Sequence, residues 1–173
     1  MSEPLRAEYE ITIRVDAPVS AVWEEIETLD RLLARAPEVV SVDPHAEPDR
    51  ALWHGRMVWG RLQWTVEGDA RVLERKRNRH LLFSSEIPTL DAHFQGIFVL
   101  APGASDVTVL GYRGSFVCRH RLHRLMKQPL TFVLKDHVET VATRVGRRAA
   151  QHARFEASME RRKAREAGDG ADA

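Results

Sequence analysis

The stretch from Tyr9 to Trp23 reads YEITIRVDAPVSAVW, and it joins a β-strand pattern to a helix pattern. Apolar and polar side chains alternate along its first half, YEITIRV, which is the period of a strand with one buried face. The turn DAP follows, and Pro18 suits the first turn of a helix because its missing N–H needs no partner there. Val22 and Ile26 then recur at helical spacing. We therefore predict a strand followed directly by a helix.

A second short helix is predicted over Asp30 to Arg35, because Pro37 disfavours helical backbone in the residue before it. Further alternating runs, separated by turn residues, then predict the remaining strands of the chain. These runs are Val39–Val42, Arg50–Trp59, Leu62–Leu73, His80–Glu86, Ala92–Leu100 and Val107–Cys118. The short connections between them are typical of antiparallel hairpins.

From Pro129 onward, apolar residues such as Leu134, Val138 and Val145 recur every three or four positions, which predicts a long helix with an apolar stripe. A sheet with one apolar face has to be covered, and this helix is the element able to cover it. We therefore predict an α+β helix-grip fold. A curved seven-stranded antiparallel sheet wraps on the long C-terminal helix, with two short helices after strand 1. We expect residues 1–167 to form a single domain and residues 168–173 to form a disordered tail.

The same order of elements resembles the START-like (SRPBCC) superfamily, which includes birch-pollen-allergen-like proteins and polyketide cyclase/dehydratases. The resemblance is carried by the opening stretch YEITIRVDAPVSAVW, the segment Arg35 to Val39, the strand end Phe98 to Pro102 and the terminal helix. It spans Tyr9 to Glu160. The resemblance implies a hydrophobic cavity between sheet and helix. It also implies two kinds of function, since some members are cyclases or aromatases and others carry lipids, hormones or quinones.

The composition narrows the classes of partner. Lys plus Arg number 26 against 25 for Asp plus Glu, and a net charge of +1 creates no field that would attract nucleic acid. The single cysteine, Cys118, cannot form an internal disulfide. Met1 to Glu10 lack an apolar signal core, and no apolar run approaches the ~20 residues needed to span a bilayer. We therefore expect a cytoplasmic protein without a nucleic-acid partner.

Aromatic residues concentrate in the middle strands and supply the candidate ligand-binding residues. Small-molecule pockets are lined mainly by apolar and aromatic side chains, although such residues at strand spacing also form ordinary cores. With the helix stripe added, the candidates are Trp53, Met57, Trp59, Trp64, Val66, Phe83, Phe94, Phe98, Leu110, Tyr112, Phe116, Leu134 and Val138. Tyr112 is also the candidate catalytic residue, because its hydroxyl could orient a ligand or transfer a proton. This places Tyr112 on the inner face of the last strand; the opposite choice would bring Arg113 into the cavity.

Other reactive side chains have less support as sites. His120 and His123 are half of a zinc site, and the arginines around them would repel a cation. Cys118 lacks a base oriented by a third residue. His93 is predicted to face outward, because its neighbour Phe94 belongs to the bulkier face. The sequence contains no Gly-rich phosphate loop, CxxC pair or HExxH motif, so we predict no metal and no cofactor.

The leading functional hypothesis is a carrier or sensor that holds an apolar small molecule, such as a lipid, polyketide, quinone or hormone-like compound. The alternative is an enzyme of the polyketide cyclase/dehydratase type, in which Tyr112, helped by Arg113 or Glu86, moves protons on a bound polyketide. A second alternative is a membrane-associated accessory protein that uses the basic stretch Arg119 to Lys127, which is otherwise a solvated linker. The aromatic strands, the covering helix and the lack of a cofactor motif favour the first hypothesis.

Overall fold

The computed structural model describes residues 4–47, 49–59, 62–104, 106–119 and 123–169, and its elements follow the predicted order. The strands are β1 (Leu5–Val15), β2 (Val39–Pro44), β3 (Arg50–Trp59), β4 (Leu62–Lys76), β5 (His80–Ile87), β6 (Ala92–Pro102) and β7 (Thr108–Cys118). The helices are α1 (Val19–Ile26), α2 (Leu29–Leu33) and α3 (His123–Asp169), and a 3-10 turn (Pro88–Leu90) joins β5 to β6. Side chains are described except at residues 44, 57–59, 62, 64, 123–133 and 165–169.

The strands form a seven-stranded antiparallel sheet in the order β1-β7-β6-β5-β4-β3-β2. Strands β2 to β7 pair with their neighbours in sequence, whereas β1 pairs with β7 in a register that runs from Leu5↔Cys118 to Val15↔Thr108. The helix α3 packs on the inner face of this sheet, mainly against β1, and also contacts α1. The predicted helix-grip fold is confirmed.

Alternation along β7 decides which of its residues face α3. Tyr112 and Phe116 are buried and face inward. Arg113 lies on the outer face, where its guanidinium is 3.4 Å from the carboxylate of Glu10 on β1. The predicted inner face of the last strand is confirmed, and the alternative with Arg113 in the cavity is wrong. His93 also has outer-face register, as predicted.

The helix α2 differs from the predicted helix over Asp30 to Arg35. It begins at Leu29 and ends at Leu33. The N–H groups of Arg35 and Ala36 donate to carbonyl oxygens three residues earlier, so the chain tightens into a turn where the prediction continues the helix. This turn delivers the chain to β2.

The helix α3 begins at His123, earlier than the predicted start at Pro129. The predicted start is wrong because the segment before the proline, RLMKQ, consists of strong helix formers. The basic stretch Arg119 to Lys127 is therefore not one linker, since its second half is helical. Gly168, predicted as part of a disordered tail, also belongs to α3. Residues 120–122 and 170–173 lie outside the described residues.

The central part of α3 covers the sheet. Its buried residues are Val138, Val141, Ala142, Val145 and Ala149. Gly146 allows a close approach to β1, since a Cβ atom there would lie 3.0 Å from Cγ2 of Val15. Beyond Ala153 the side chains turn to solvent, and Phe155 is 63% exposed. None of the helices in the described ranges combines the length and hydropathy needed to cross a bilayer.

Candidate ligand-binding cavity

A cavity of about 160 Å³ lies between the inner face of the sheet, α2 and α3, and it is partly open to solvent. Its lining residues are Tyr9, Leu32, Leu33, Ala36, Glu38, Val39, Trp53, Val66, Phe83, Ile87, Leu90, Phe94, Phe98, Tyr112, Phe116, Leu134, His137, Val138 and Val141. An apolar cavity of ~150 Å³ admits a benzene-sized molecule and stays free of water. The enclosed space is therefore large enough for an aromatic ring, and the open side leaves room for a longer molecule.

Most of the predicted ligand-binding residues line this cavity. They are Trp53, Val66, Phe83, Phe94, Phe98, Tyr112, Phe116, Leu134 and Val138. Leu110 is instead a fully buried core residue. It lies near the beginning of β7, close to Thr108, whose hydroxyl group donates a hydrogen bond to the backbone just before α1. Met57, Trp59 and Trp64 belong to the paired ends of β3 and β4, and their side chains lie outside the described residues.

A continuous row of aromatic rings on β1, β7, β6 and β5 forms the floor of the cavity. Tyr9 stacks on Tyr112 with a centroid separation of 5.9 Å, and Tyr112 contacts Phe98 at 4.7 Å. Phe98 stacks on Phe83 at 6.0 Å, and Phe83 meets Phe94 edge to face at 5.3 Å. The sheet register explains the row, because Phe98 and Tyr112 are direct cross-strand partners. Such a floor suits flat or chain-like apolar molecules.

The ring of Tyr112 lies flat on the sheet because two glycines leave room beneath it. Gly96 and Gly114 are cross-strand partners on the inner face. A Cβ atom at Gly96 would lie 2.1 Å from the Tyr112 hydroxyl oxygen, and one at Gly114 would lie 2.6 Å from the same atom. Any other residue at either position would push the ring off the sheet and into the cavity.

Trp53 lies across its neighbouring strand in the same way. Gly68 is its cross-strand partner, and a Cβ atom there would lie 2.2 Å from Cε2 of the indole. The indole Nε1–H donates a buried hydrogen bond to Oγ of Ser85 at 2.9 Å. The polar edge of Trp53 is thus satisfied within the sheet, and its ring serves as apolar wall of the cavity.

Gly68→Ala is expected to destabilise the protein by about 1–3 kcal/mol, because the added methyl group displaces the Trp53 indole and breaks its bond to Ser85. Gly111→Ala is the matched control, since a Cβ atom there would meet the Val99 carbonyl oxygen at an ordinary 3.8 Å. Urea unfolding of both variants measures the difference. Equal free energies of unfolding for the two variants would contradict the position of the indole.

The two tyrosine hydroxyl groups are buried beside each other, and neither forms a well-aligned hydrogen bond with any described residue. Burial raises the pKa of Tyr9 to about 12, an effect that the nearby Tyr112 hydroxyl offsets only in part. Burial also raises the pKa of Tyr112 well above its usual 10.0, and Tyr9 adds to that shift. Both groups therefore stay protonated near neutral pH and cannot act there as general bases. Since both oxygens are covered, the tyrosines contribute their rings to the cavity wall, which argues against Tyr112 as the catalytic residue.

A carboxylate–imidazole pair in the cavity wall was missed by the sequence reasoning. Glu38 precedes β2 and His137 belongs to α3, and Oε2 of Glu38 contacts Nδ1 of His137. Their side chains are 35% and 27% exposed, so the pair stands where the cavity meets solvent. Burial alone would raise the pKa of Glu38, but the His137 contact and the charge of Arg144 outweigh burial and hold that pKa below its usual range. Glu38 is therefore ionised at neutral pH.

Two features of the sequence could have pointed to this pair. His137 directly precedes Val138 and follows Leu134 by three residues, at the edge of the apolar stripe of α3. Glu38 lies within the segment that carries part of the family resemblance. Neither feature brings the two residues together, because their contact depends on the path of the chain after α2.

The other predicted reactive groups lie away from the cavity. Glu86 and Arg113 are exposed and outside the cavity lining, so their predicted roles as helpers of an acid–base enzyme are wrong. Cys118 is buried, with its Sγ 3.3 Å from a backbone carbonyl oxygen. The side chains of His120 and His123 lie outside the described residues. Within the described part of the chain, no three His, Cys, Asp or Glu side chains come together as a metal site requires.

Several solved structures share this fold. A conserved protein from Geobacillus kaustophilus aligns with a TM-score of 0.71 and 17% identity, over 85% of this chain and 96% of that one. The Zhui aromatase/cyclase from Streptomyces sp. R1128 aligns with a TM-score of 0.58 and 15% identity, over 86% and 94% of the two chains. A norcoclaurine synthase point mutant from Thalictrum flavum, in complex with a transition-state analogue, gives a TM-score of 0.61 and 11% identity, over 88% and 99%. No protein-family model matches the sequence, and no curated protein is significantly similar to it.

These comparisons define a fold. The element order and the sheet topology are those of the helix-grip fold, as the resemblance to START-like proteins implies. At 11–17% identity the likeness extends to architecture and not to activity, because unrelated sites are built on one fold.

Proposed function

We propose that this protein binds an apolar small molecule in the cavity between the sheet and α3, as a carrier or a sensor. The observation that carries the proposal is the cavity of about 160 Å³, floored by a row of aromatic rings and roofed by α3. Its lining, as far as the structure describes it, includes neither lysine nor arginine. The shared architecture of the aromatase/cyclase and the norcoclaurine synthase supports the proposal.

The same lining favours an uncharged ligand. Burying a carboxylate without a cationic partner costs several kcal/mol. Glu38 already places a negative charge in the cavity wall, and it would repel an anionic ligand. We therefore expect neutral lipids, quinones or aromatic polyketides to bind better than free fatty acids or other carboxylic acids.

Leu134→Trp is expected to abolish stabilisation by the ligand, because the larger side chain fills the cavity from α3. A ligand at hundred-fold excess over its Kd stabilises the folded state by about 2.7 kcal/mol, which raises Tm by roughly 5–10 °C for a domain of this size. Thermal melts with neutral lipids, quinones and aromatic polyketides, each with and without a chelator, measure this shift. Gln151→Trp is the control, since Gln151 is exposed on the same helix.

Two outcomes would count against the proposal. Full ligand stabilisation in Leu134→Trp would place the ligand outside this cavity. Stabilisation by a metal ion or a nucleotide, with none by any neutral apolar compound, would contradict a role in apolar ligand binding.

A second candidate function is acid–base catalysis on the bound molecule, and the Glu38–His137 pair is the observation that favours it. A histidine held by a carboxylate keeps one ring nitrogen oriented for proton transfer. The candidate base is then His137 in place of Tyr112. Turnover of a neutral polyketide that His137→Asn loses, with binding retained, would support an enzyme. Binding without turnover by the unmodified protein would support the carrier.

The membrane-associated alternative depends on the stretch Arg119 to Lys127. Arg119 is exposed, and its guanidinium lies 3.9 Å from the carboxylate of Asp91. The side chains of residues 120–127 lie outside the described residues. The described residues therefore add no support to this alternative.

A further inference from the structure

His137 has one ring nitrogen available to a ligand. Its Nδ1 contacts Oε2 of Glu38, and both residues line the cavity. Within the described ranges, no other group forms a hydrogen bond or an ion pair with this imidazole. Nε2 is therefore the polar atom that the pair offers to a molecule in the cavity.

The contact with Glu38 decides which nitrogen carries the proton. An ionised carboxylate has only acceptor sites, so its partner nitrogen, Nδ1, has to be the protonated one. In the neutral imidazole, Nε2 then carries a lone pair and no proton. The lowered pKa of Glu38 keeps that carboxylate ionised at neutral pH. With the ring neutral, Nε2 accepts a hydrogen bond and does not donate one.

We propose that the ligand carries a phenolic or alcoholic hydroxyl group, which donates its O–H to Nε2 of His137 while the apolar body lies on the aromatic floor. This inference rests on the proposed function, since it requires that the cavity holds the ligand. A ketone, a quinone or a methyl ether cannot form this bond to the neutral ring, because its oxygen and Nε2 are both acceptors, whereas a hydroxyl group can both donate and accept.

Carboxylate ligands are excluded by the surroundings of the pair. Glu38 is an ionised carboxylate in the lining, and the described lining includes no lysine or arginine that would compensate an anion. Arg144, the cation that acts on Glu38, lies outside the cavity lining and donates to the carbonyl oxygen of Arg35 at 3.2 Å. The hydroxyl group is thus the polar substituent that fits both the tautomer and the charge of the site.

Isothermal titration calorimetry with 2-naphthol, 2-methoxynaphthalene and naphthalene at neutral pH tests the inference. These probes share one flat apolar body and differ in the group that meets His137. We expect 2-naphthol to bind about tenfold more tightly than 2-methoxynaphthalene, which is the effect of one net hydrogen bond. The methyl ether is the more apolar probe, so burial alone would produce the opposite order.

Variants of the pair separate its role from that of the cavity. His137→Phe should abolish the preference for 2-naphthol and retain the affinity for 2-methoxynaphthalene. Glu38→Gln should weaken the preference, because an amide fixes neither tautomer. His152→Phe is the matched control. His152 also lies on α3 and contacts a carboxylate, that of Glu24 at 3.4 Å, but it is outside the cavity lining. Circular dichroism and Tm establish that each variant is folded.

The outcomes distinguish this inference from the proposed function. Equal affinities of the unmodified protein for 2-naphthol and 2-methoxynaphthalene would overturn the hydroxyl inference and leave the apolar cavity standing. A preference for 2-naphthol that survives in His137→Phe would do the same. Failure of all the neutral probes to bind would overturn the proposed function and this inference with it.

Discussion

Val145→Asp is expected to prevent folding at room temperature. Val145 is 0% exposed and lies in the middle of the apolar stripe with which α3 covers the sheet. The substitution removes about 1.5–3 kcal/mol of apolar burial, and the desolvation of an unpaired carboxylate adds several more. A domain has roughly 5–15 kcal/mol of stability in total, so little or none remains. Far-UV circular dichroism and a thermal melt measure the result.

The control for this variant is Gln151→Asp, which adds the same carboxylate to the same helix at an exposed position. Because surface substitutions usually change stability by little, its melting temperature should stay close to that of the unmodified protein. The comparison separates burial from the helix propensity of aspartate. A cooperative melt of Val145→Asp would mean that α3 does not cover the sheet, and the helix-grip architecture would then be wrong.

The tyrosines of the folded protein are expected to stay un-ionised at a pH where ordinary tyrosines are half ionised. The sequence contains two tyrosines, Tyr9 and Tyr112, so tyrosinate absorbance reports on this buried pair alone. The pKa of Tyr9 is raised to about 12, and that of Tyr112 is also well above 10.0. Spectrophotometric titration should therefore show almost no tyrosinate near pH ~10 in the native protein, and half ionisation near that pH in denaturant.

The same shifts predict that stability falls in alkali. Below pH ~10 both tyrosines are protonated in the folded and unfolded chains, and the stabilising effect of their raised pKa values is fully present. At higher pH the unfolded chain loses its protons first, so stability declines as the pH rises towards the folded-state value of about 12 for Tyr9. In Tyr9→Phe only Tyr112 remains to ionise, and it should do so at a pH well above that of an ordinary tyrosine. Tyrosinate near pH ~10 in a chain with native near-UV circular dichroism would contradict the burial of the pair.

Much of the sheet could be predicted because its evidence is local. Along β1 and β7 side chains alternate between buried and exposed, and the residues themselves show that alternation. Tyr112 and Phe116 could be placed inward because their face of the strand is bulkier than the face with Arg113. The aromatic floor follows from those faces, since side chains on one face of neighbouring strands meet.

The remaining features depend on contacts between distant segments. Glu38 and His137 meet because the chain after α2 passes beside α3, and no local period reports that path. Leu110 shares a face with Tyr112 but packs in the core, because position along the strand decides which residues reach the cavity. The start of α3 depends on two opposing free energies: the cost of Pro129 inside a helix and the helix propensity of the residues before it. The presence of a proline alone does not show which of the two is larger.

The helix α3 contains two segments with different free energies of opening. Around Val145 the helix packs against the core, whereas from Arg154 to Ala164 nearly every side chain is exposed. Most helical stability in proteins comes from tertiary packing, so a helix end without such packing frays. Amide protons near Val145 therefore exchange with solvent only through global unfolding, while those beyond Phe155 exchange through local fraying that leaves the domain folded. One uninterrupted helix thus carries both strongly protected and weakly protected amides, and its far end melts independently of the sheet that its centre covers.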